Sequence, residues 1–100
     1  MVARHEYPRL RDFIALVFHP DWRKTSRSCI GATDAEISGG ASTRLERVAS
    51  ESAALIASRA TDEQIARWLG LIGCYVILSR EGYTARSFIG LIGDRIRAKR

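Results

Sequence analysis

Residues 7–22 read YPRLRDFIALVFHPDW, and how this stretch starts and stops decides the fold. Pro8 suits the first turn of a helix, where its missing N–H costs nothing. Leu10, Phe13, Ile14 and Val17 then recur on one face at helical spacing, so a helix is predicted from about Pro8 to Phe18. Pro20 stops it, because the residue before a proline is pushed out of the helical region, and His19 falls at the exit. The closing FHPDW, Phe18 to Trp22, sets His19 and Asp21 two apart between aromatics. That arrangement suits a metal site, a catalytic pair or a structural stop.

The same reading extends through the rest of the chain. From Asp21 to Ser42 no apolar period is sustained, so one long loop is expected after the first helix. Thr33-Asp34-Ala35-Glu36 fits a capping box and allows one short helical turn within it. Thr43-Arg44-Leu45-Glu46 is a second such box. It opens a helix to about Ser58 with Leu45, Val48, Ala49, Ser52, Leu55 and Ile56 inward, and Arg47 and Glu51 outward. Thr61-Asp62-Glu63-Gln64 is a third box, before Ile65, Trp68, Leu69 and Ile72, and that helix weakens at Gly70 and Gly73.

Cys74 to Ser79, CYVILS, is too short to reveal its own period, and an extended or irregular piece is favoured over more helix. Glu81-Gly82 marks a turn and Thr84 a cap. Phe88, Leu91, Ile92 and Ile96 line one face of a last helix, with Gly93 at its edge where another helix can approach closely. The expected fold is therefore all-α: a compact single-domain bundle of about four to five helices over residues 1–100. One hundred residues suffice for one modest core burying roughly 60–68% of the unfolded chain's surface.

With 46% hydrophobic and 27% charged residues, the chain falls among globular proteins. No secretion signal is legible, and the apolar-rich run from Leu69 to Leu78 is half the length of a bilayer span, so a cytoplasmic location without membrane contact is expected. Cys29 and Cys74 lack zinc-site spacing and are expected as free thiols. The net charge of +5 is diffuse, with Arg95, Arg97, Lys99 and Arg100 at the C-terminus and Arg23-Lys24 with Arg27 after FHPDW. Such a charge favours nucleic acid, anionic membrane or an acidic protein partner. No aromatic is interleaved with these charges in the linear sequence, so direct nucleic-acid binding is the alternative rather than the leading expectation.

Chemistry is poorly supplied. A metal site needs three or four converging ligands, and His19 with Asp21 gives two; His5 has no spacing that returns it to them. Phosphate-loop, nucleophile-elbow and HExxH patterns are all missing from the sequence. No catalytic residue, metal or cofactor is therefore expected, and His19 and Asp21 read as structural groups at a helix end.

The ordered pieces of the chain resemble a known family, the small immunity proteins of bacterial contact-dependent growth inhibition systems. YPRLRDF leads into FHPDW, where the family has an aromatic followed by His-Gln-Asp-Trp. Glu51 with Leu55-Ile56 follows, then Thr61-Asp62-Glu63-Gln64-Ile65, then Ile72-Gly73-Cys74-Tyr75, which is similar to the family's Leu-Gly-Cys-Tyr. Gly82-Tyr83-Thr84-Ala85-Arg86-Ser87-Phe88-Ile89 closes the set. Pro20 and Phe88 depart from the family's glutamine and tryptophan, the proline expected after Tyr75 is missing, and the middle is not the family's acidic helix.

This resemblance implies a protein without turnover that binds and neutralises, one to one, the C-terminal toxin domain of a delivered effector, often a nuclease acting on transfer RNA. It further implies that Phe18, His19, Asp21 and Trp22 build the fold rather than choose the partner. The candidate toxin-binding residues are Arg23, Lys24, Arg27, Asp34 and Glu36 in the expected loop, with Glu46, Asp62 and Glu63 as a possible acidic face; solvated surface charge is the simpler reading of each. A chain of charge +5 mimics nucleic acid poorly, which favours binding beside the toxin's catalytic site over plugging it.

Overall fold

A computed structural model describes residues 2–99, and among these the chain forms seven helices and no strand. Helix α1 (Pro8–Val17) starts on its proline and buries Leu10, Phe13, Ile14 and Val17, the stripe read from the sequence. It carries no side-chain cap of its own, since Tyr7 before it is left-handed with φ 54. The cap comes from α4 (Ser42–Ala57): Glu51 Oε1 accepts the N–H of Arg9 at 2.9 Å and of Leu10 at 3.0 Å. A carboxylate there also meets the positive end of the helix dipole. Glu51 therefore faces α1 and not outward with Arg47, a correction to the sequence reading.

The expected long loop is mostly helical. It holds α2 (Trp22–Thr25), a single turn, and α3 (Cys29–Gly39), three turns long. Ser28 caps α3 by accepting the Gly31 N–H at 3.0 Å, whereas Thr33 is buried in mid-helix and caps nothing. The inward face of α3 is Cys29, Ala32, Thr33 and Ile37, mostly small residues of weak hydrophobicity, which is why no apolar period announced it. Asp34 fastens the helix to α7 (Ala85–Ala98): Arg95 Nε and Nη2 donate to its two carboxylate oxygens at 2.9 and 2.6 Å. Helix α4 begins one residue before Thr43, with Ala41 at the cap position, so the second predicted box does not form.

The third box does. Thr61 Oγ1 accepts the Gln64 N–H at 3.1 Å and Gln64 Oε1 accepts the Thr61 N–H at 3.0 Å, opening α5 (Asp62–Leu71). Its far end closes on Gly73 at φ 86, with the Cys74 N–H reaching the Leu69 carbonyl at 3.0 Å and the Gly73 N–H reaching that of Gly70. This paired closure needs a left-handed residue, which glycine supplies without a Cβ penalty. Residues 74–77 are irregular, as expected, but Leu78 and Ser79, also expected to be extended or irregular, belong to a single helical turn, α6 (Leu78–Glu81), that precedes Gly82.

Helix α7 is the hub, packing on α3, α4 and α5, while α1 lies against α4 and α3. Thr84 and Ser87 cap α7 reciprocally, and the Asp62 carboxylate of α5 adds a bond to the Arg86 N–H at 2.9 Å. The Arg86 guanidinium in turn donates to the Ile56 carbonyl at 2.7 Å at the end of α4. Where α4 crosses α7, Ser52 Oγ donates to the Ile89 carbonyl at 2.7 Å, and a Cβ on Gly93 would sit 2.8 Å from that Oγ. Phe13, Phe18, Trp68 and Phe88 are fully buried, and the radius of gyration is 12.3 Å, against about 13 Å for a compact chain of this length. Leu16, Leu71 and Ile77 remain exposed. Among the described residues no helix is long and apolar enough to cross a membrane.

Candidate functional site

FHPDW forms a clasp. The Phe18 N–H closes α1 on the Ile14 carbonyl at 2.8 Å, and Pro20 turns the chain away. His19 Nδ1 accepts the Asp21 backbone N–H at 3.1 Å, and the His19 carbonyl accepts the Trp22 N–H at 3.0 Å. The ring is thus a local turn lock, and the Asp21 carboxylate pairs with Lys24 at 3.4 Å instead of holding the imidazole.

Phe18 and Trp22 enter the core edge to face, with ring centroids 5.4 Å apart, and Phe18 continues to Phe88 at 5.0 Å. Such contacts add to ordinary burial. Two long-range bonds complete the clasp. The Tyr75 N–H donates to the Phe18 carbonyl at 2.9 Å, and Trp22 Nε1 donates to the Tyr75 carbonyl at 2.8 Å across 53 residues of sequence.

The clasp fixes the Tyr75 backbone and leaves its side chain outside, 58% exposed. A groove of about 470 Å³ opens there, with Trp22, Arg23 and Arg27 on one side and Tyr75, Ile77, Arg80 and Glu81 on the other. That volume lies within the usual range of binding clefts. Arg23 lies over the Trp22 ring, its Cζ 5.5 Å from the centroid, and forms an ion pair with Glu81. Arg27 and Arg80 form no ion pair among the described residues. Three arginines against one glutamate give the lining a net charge of +2.

Two free thiols lie near these residues: Cys29, which feels the charges of Glu81 and Arg23, and Cys74, which precedes Tyr75. Burial pushes the Cys29 thiol up to about 12, with the charges of Glu81 and Cys74 adding to the effect and Arg23 opposing it. Burial likewise raises Cys74 to about 11. Both are protonated at neutral pH and poor nucleophiles.

The predicted site residues divide accordingly. Arg23 and Arg27 line the groove, and Lys24 is exposed on the same turn but paired to Asp21. Asp34 is committed to Arg95, whose hydrogen bonds hold its carboxyl below the ordinary value, and Glu36 is half-buried on α3. Asp62 is occupied in capping α7. Glu63 is exposed on α5, beside Arg67 and Leu71.

Glu46 shares a separate cleft with Ile96 and Lys99, at the opposite end of α7 from the Arg86 amide that Asp62 caps. Ten residues of helix, about 15 Å, separate those two places. Glu46, Asp62 and Glu63 therefore do not make one acidic face. Tyr75, Ile77, Arg80 and Glu81 escaped the sequence reading as site residues; the signal was the short run CYVILS, which had no period and is followed by the charge pair Arg80-Glu81.

Among the described residues no three His, Cys, Asp or Glu side chains converge in a way that could hold a metal ion. No family model, curated protein or solved structure matches this chain.

Proposed function

We propose that this chain is an immunity protein that binds and neutralises a cognate toxin domain, acting by surface contact and without turnover. Two things support the reading. One is the ordered resemblance to contact-dependent growth inhibition immunity proteins, running from YPRLRDF and FHPDW through Gly82-Tyr83-Thr84-Ala85-Arg86-Ser87-Phe88-Ile89. The other, which carries it furthest, is the placement of Tyr75, an exposed aromatic on a fixed backbone, among Arg23, Arg27 and Arg80. Rigid aromatics and arginines are the residues that dominate binding energy in protein interfaces. A basic surface does not imitate nucleic acid, so the toxin is held beside its catalytic site and its substrate is blocked sterically. Co-expression with the toxin domain encoded by the neighbouring gene tests this: cells survive if the reading is right and stop growing if it is wrong.

The same groove favours a second reading, a small nucleic-acid-binding protein. The fold brings Tyr75 and the nearby Arg80 against Arg23 and Arg27, which are distant in sequence, and so supplies the stacking group that the linear charge pattern lacked. Gel shifts with transfer RNA at two salt concentrations separate the two, since phosphate binding falls steeply with salt.

A further inference from the structure

Within the groove one feature is unusual: Glu81 stands among three arginines with its side chain only 13% exposed, against 61% for the Arg23 it pairs with. The carboxylate is the recessed member and the guanidinium reaches across to it. Arg27 and Arg80 flank this pair without acidic partners among the described residues, and Tyr75 and Ile77 stand beside them, 58% and 56% exposed. Cation, carboxylate and apolar surface thus alternate over a short distance.

We infer that the groove between α2 and α6 receives an acidic segment of a protein partner. Its carboxylates pair with Arg27 and Arg80 while an apolar or aromatic side chain packs on Tyr75 and Ile77, and Glu81 acts as an internal competitor for Arg23. The inference rests on the binding-module reading and adds to it the chemistry of what is bound. Charge complementarity supports a carboxylate-rich occupant, because the lining has a surplus of two positive charges. The paired apolar residues distinguish it from a purely ionic surface, and the alternation matches a peptide in which acidic and aromatic side chains are interspersed.

The full chain is titrated at low salt with a random copolymer of glutamate and tyrosine, and separately with single-stranded oligothymidylate of comparable charge. R27E/R80E is compared with R44E/R47E, which changes net charge equally on the exposed face of α4. The copolymer is expected to bind more tightly than the oligonucleotide. R27E/R80E should weaken copolymer binding by roughly tenfold, as loss and reversal of two exposed pairings implies. R44E/R47E should change it by less than about threefold through long-range screening alone. Glu81→Gln should tighten binding, because it removes a negative charge from the groove and releases Arg23.

Equal weakening by both double variants would make the attraction diffuse and overturn the assignment. Tighter oligonucleotide binding, no copolymer binding, or no gain from Glu81→Gln would each overturn it as well. The copolymer contains no toxin, so failure here refutes the acidic occupant, whereas failure of the co-expression test refutes the immunity reading.

Discussion

The tetrad GLIG occurs twice, at 70–73 and 90–93, and replacing its four glycines by alanine one at a time should give effects of opposite sign. Gly90 lies inside α7 with only the Ile56 Cδ1 at 3.5 Å from a built Cβ, an ordinary contact, so alanine should add about 1 kcal/mol of stability. Gly70, near the end of α5 with nothing within 4 Å, should gain about half as much. Gly73 adopts φ 86, and an alanine held there should lose roughly 1 to 2 kcal/mol.

Gly93 is the decisive position, because its new Cβ would lie 2.8 Å from Ser52 Oγ and 3.3 Å from Ser52 Cβ. Overpacking of that kind costs about 1 to 3 kcal/mol. Displacing the buried Ser52 bond to Ile89 adds about 1 kcal/mol, and helix propensity returns about 1 kcal/mol. The net loss is about 2 kcal/mol, or roughly 10 °C in melting temperature for a domain of this size. Urea and thermal denaturation followed by circular dichroism read all four variants. Combining Gly93→Ala with Ser52→Ala should recover part of the loss, a coupling expected of residues in contact. A Gly93→Ala protein as stable as Gly90→Ala would refute the described crossing of α4 and α7.

Glu51→Ala should destabilise the protein by about 1 to 2 kcal/mol in urea denaturation, because it strips the cap from α1 and leaves the Arg9 and Leu10 amides without their acceptor. Asp34 has a lowered carboxyl pKa in the folded protein, chiefly through hydrogen bonds from Arg95, so its stabilising contribution is complete above the unfolded value near 3.8 and declines as pH falls through the folded value. Asp34→Asn should therefore cost stability at pH 7, and the difference from wild type should shrink at pH 3 in paired denaturation curves. With thiols at about 12 and 11, Cys29 and Cys74 should react with a disulfide reagent at pH 8 far more slowly than a free cysteine, and at full rate in denaturant.

Helices with strong local signals were legible from the residues alone. Pro8 with a clean apolar stripe announced α1, and the box at Thr61 and the cap at Thr84 announced α5 and α7, because capping and periodicity are short-range properties. Helix α3 was not legible, since Cys, Ala and Thr form most of its buried face and its stability comes from packing on α7 and the Asp34–Arg95 bond. The Thr33 and Thr43 boxes failed because each helix starts upstream of them, α3 at the local Ser28 cap and α4 with Ala41 in the cap position.

Of the candidate site, Arg23 and Arg27 were within reach of sequence reasoning, and the other wall was not. Tyr75 joins them through its two long-range backbone bonds, to Phe18 and from Trp22, and nothing local in CYVILS encodes that pairing. The FHPDW motif was legible as structure; what it positions was not.

Titration calorimetry of the proposed cognate toxin domain against wild type and Tyr75→Ala tests the central claim most directly. The Tyr75 backbone makes both clasp bonds, so alanine removes the exposed ring and leaves the fold in place. The account predicts a one-to-one complex near nanomolar affinity, about −12 kcal/mol, weakened at least roughly tenfold by the substitution. An undetectable complex, or one indifferent to the loss of Tyr75, would contradict it.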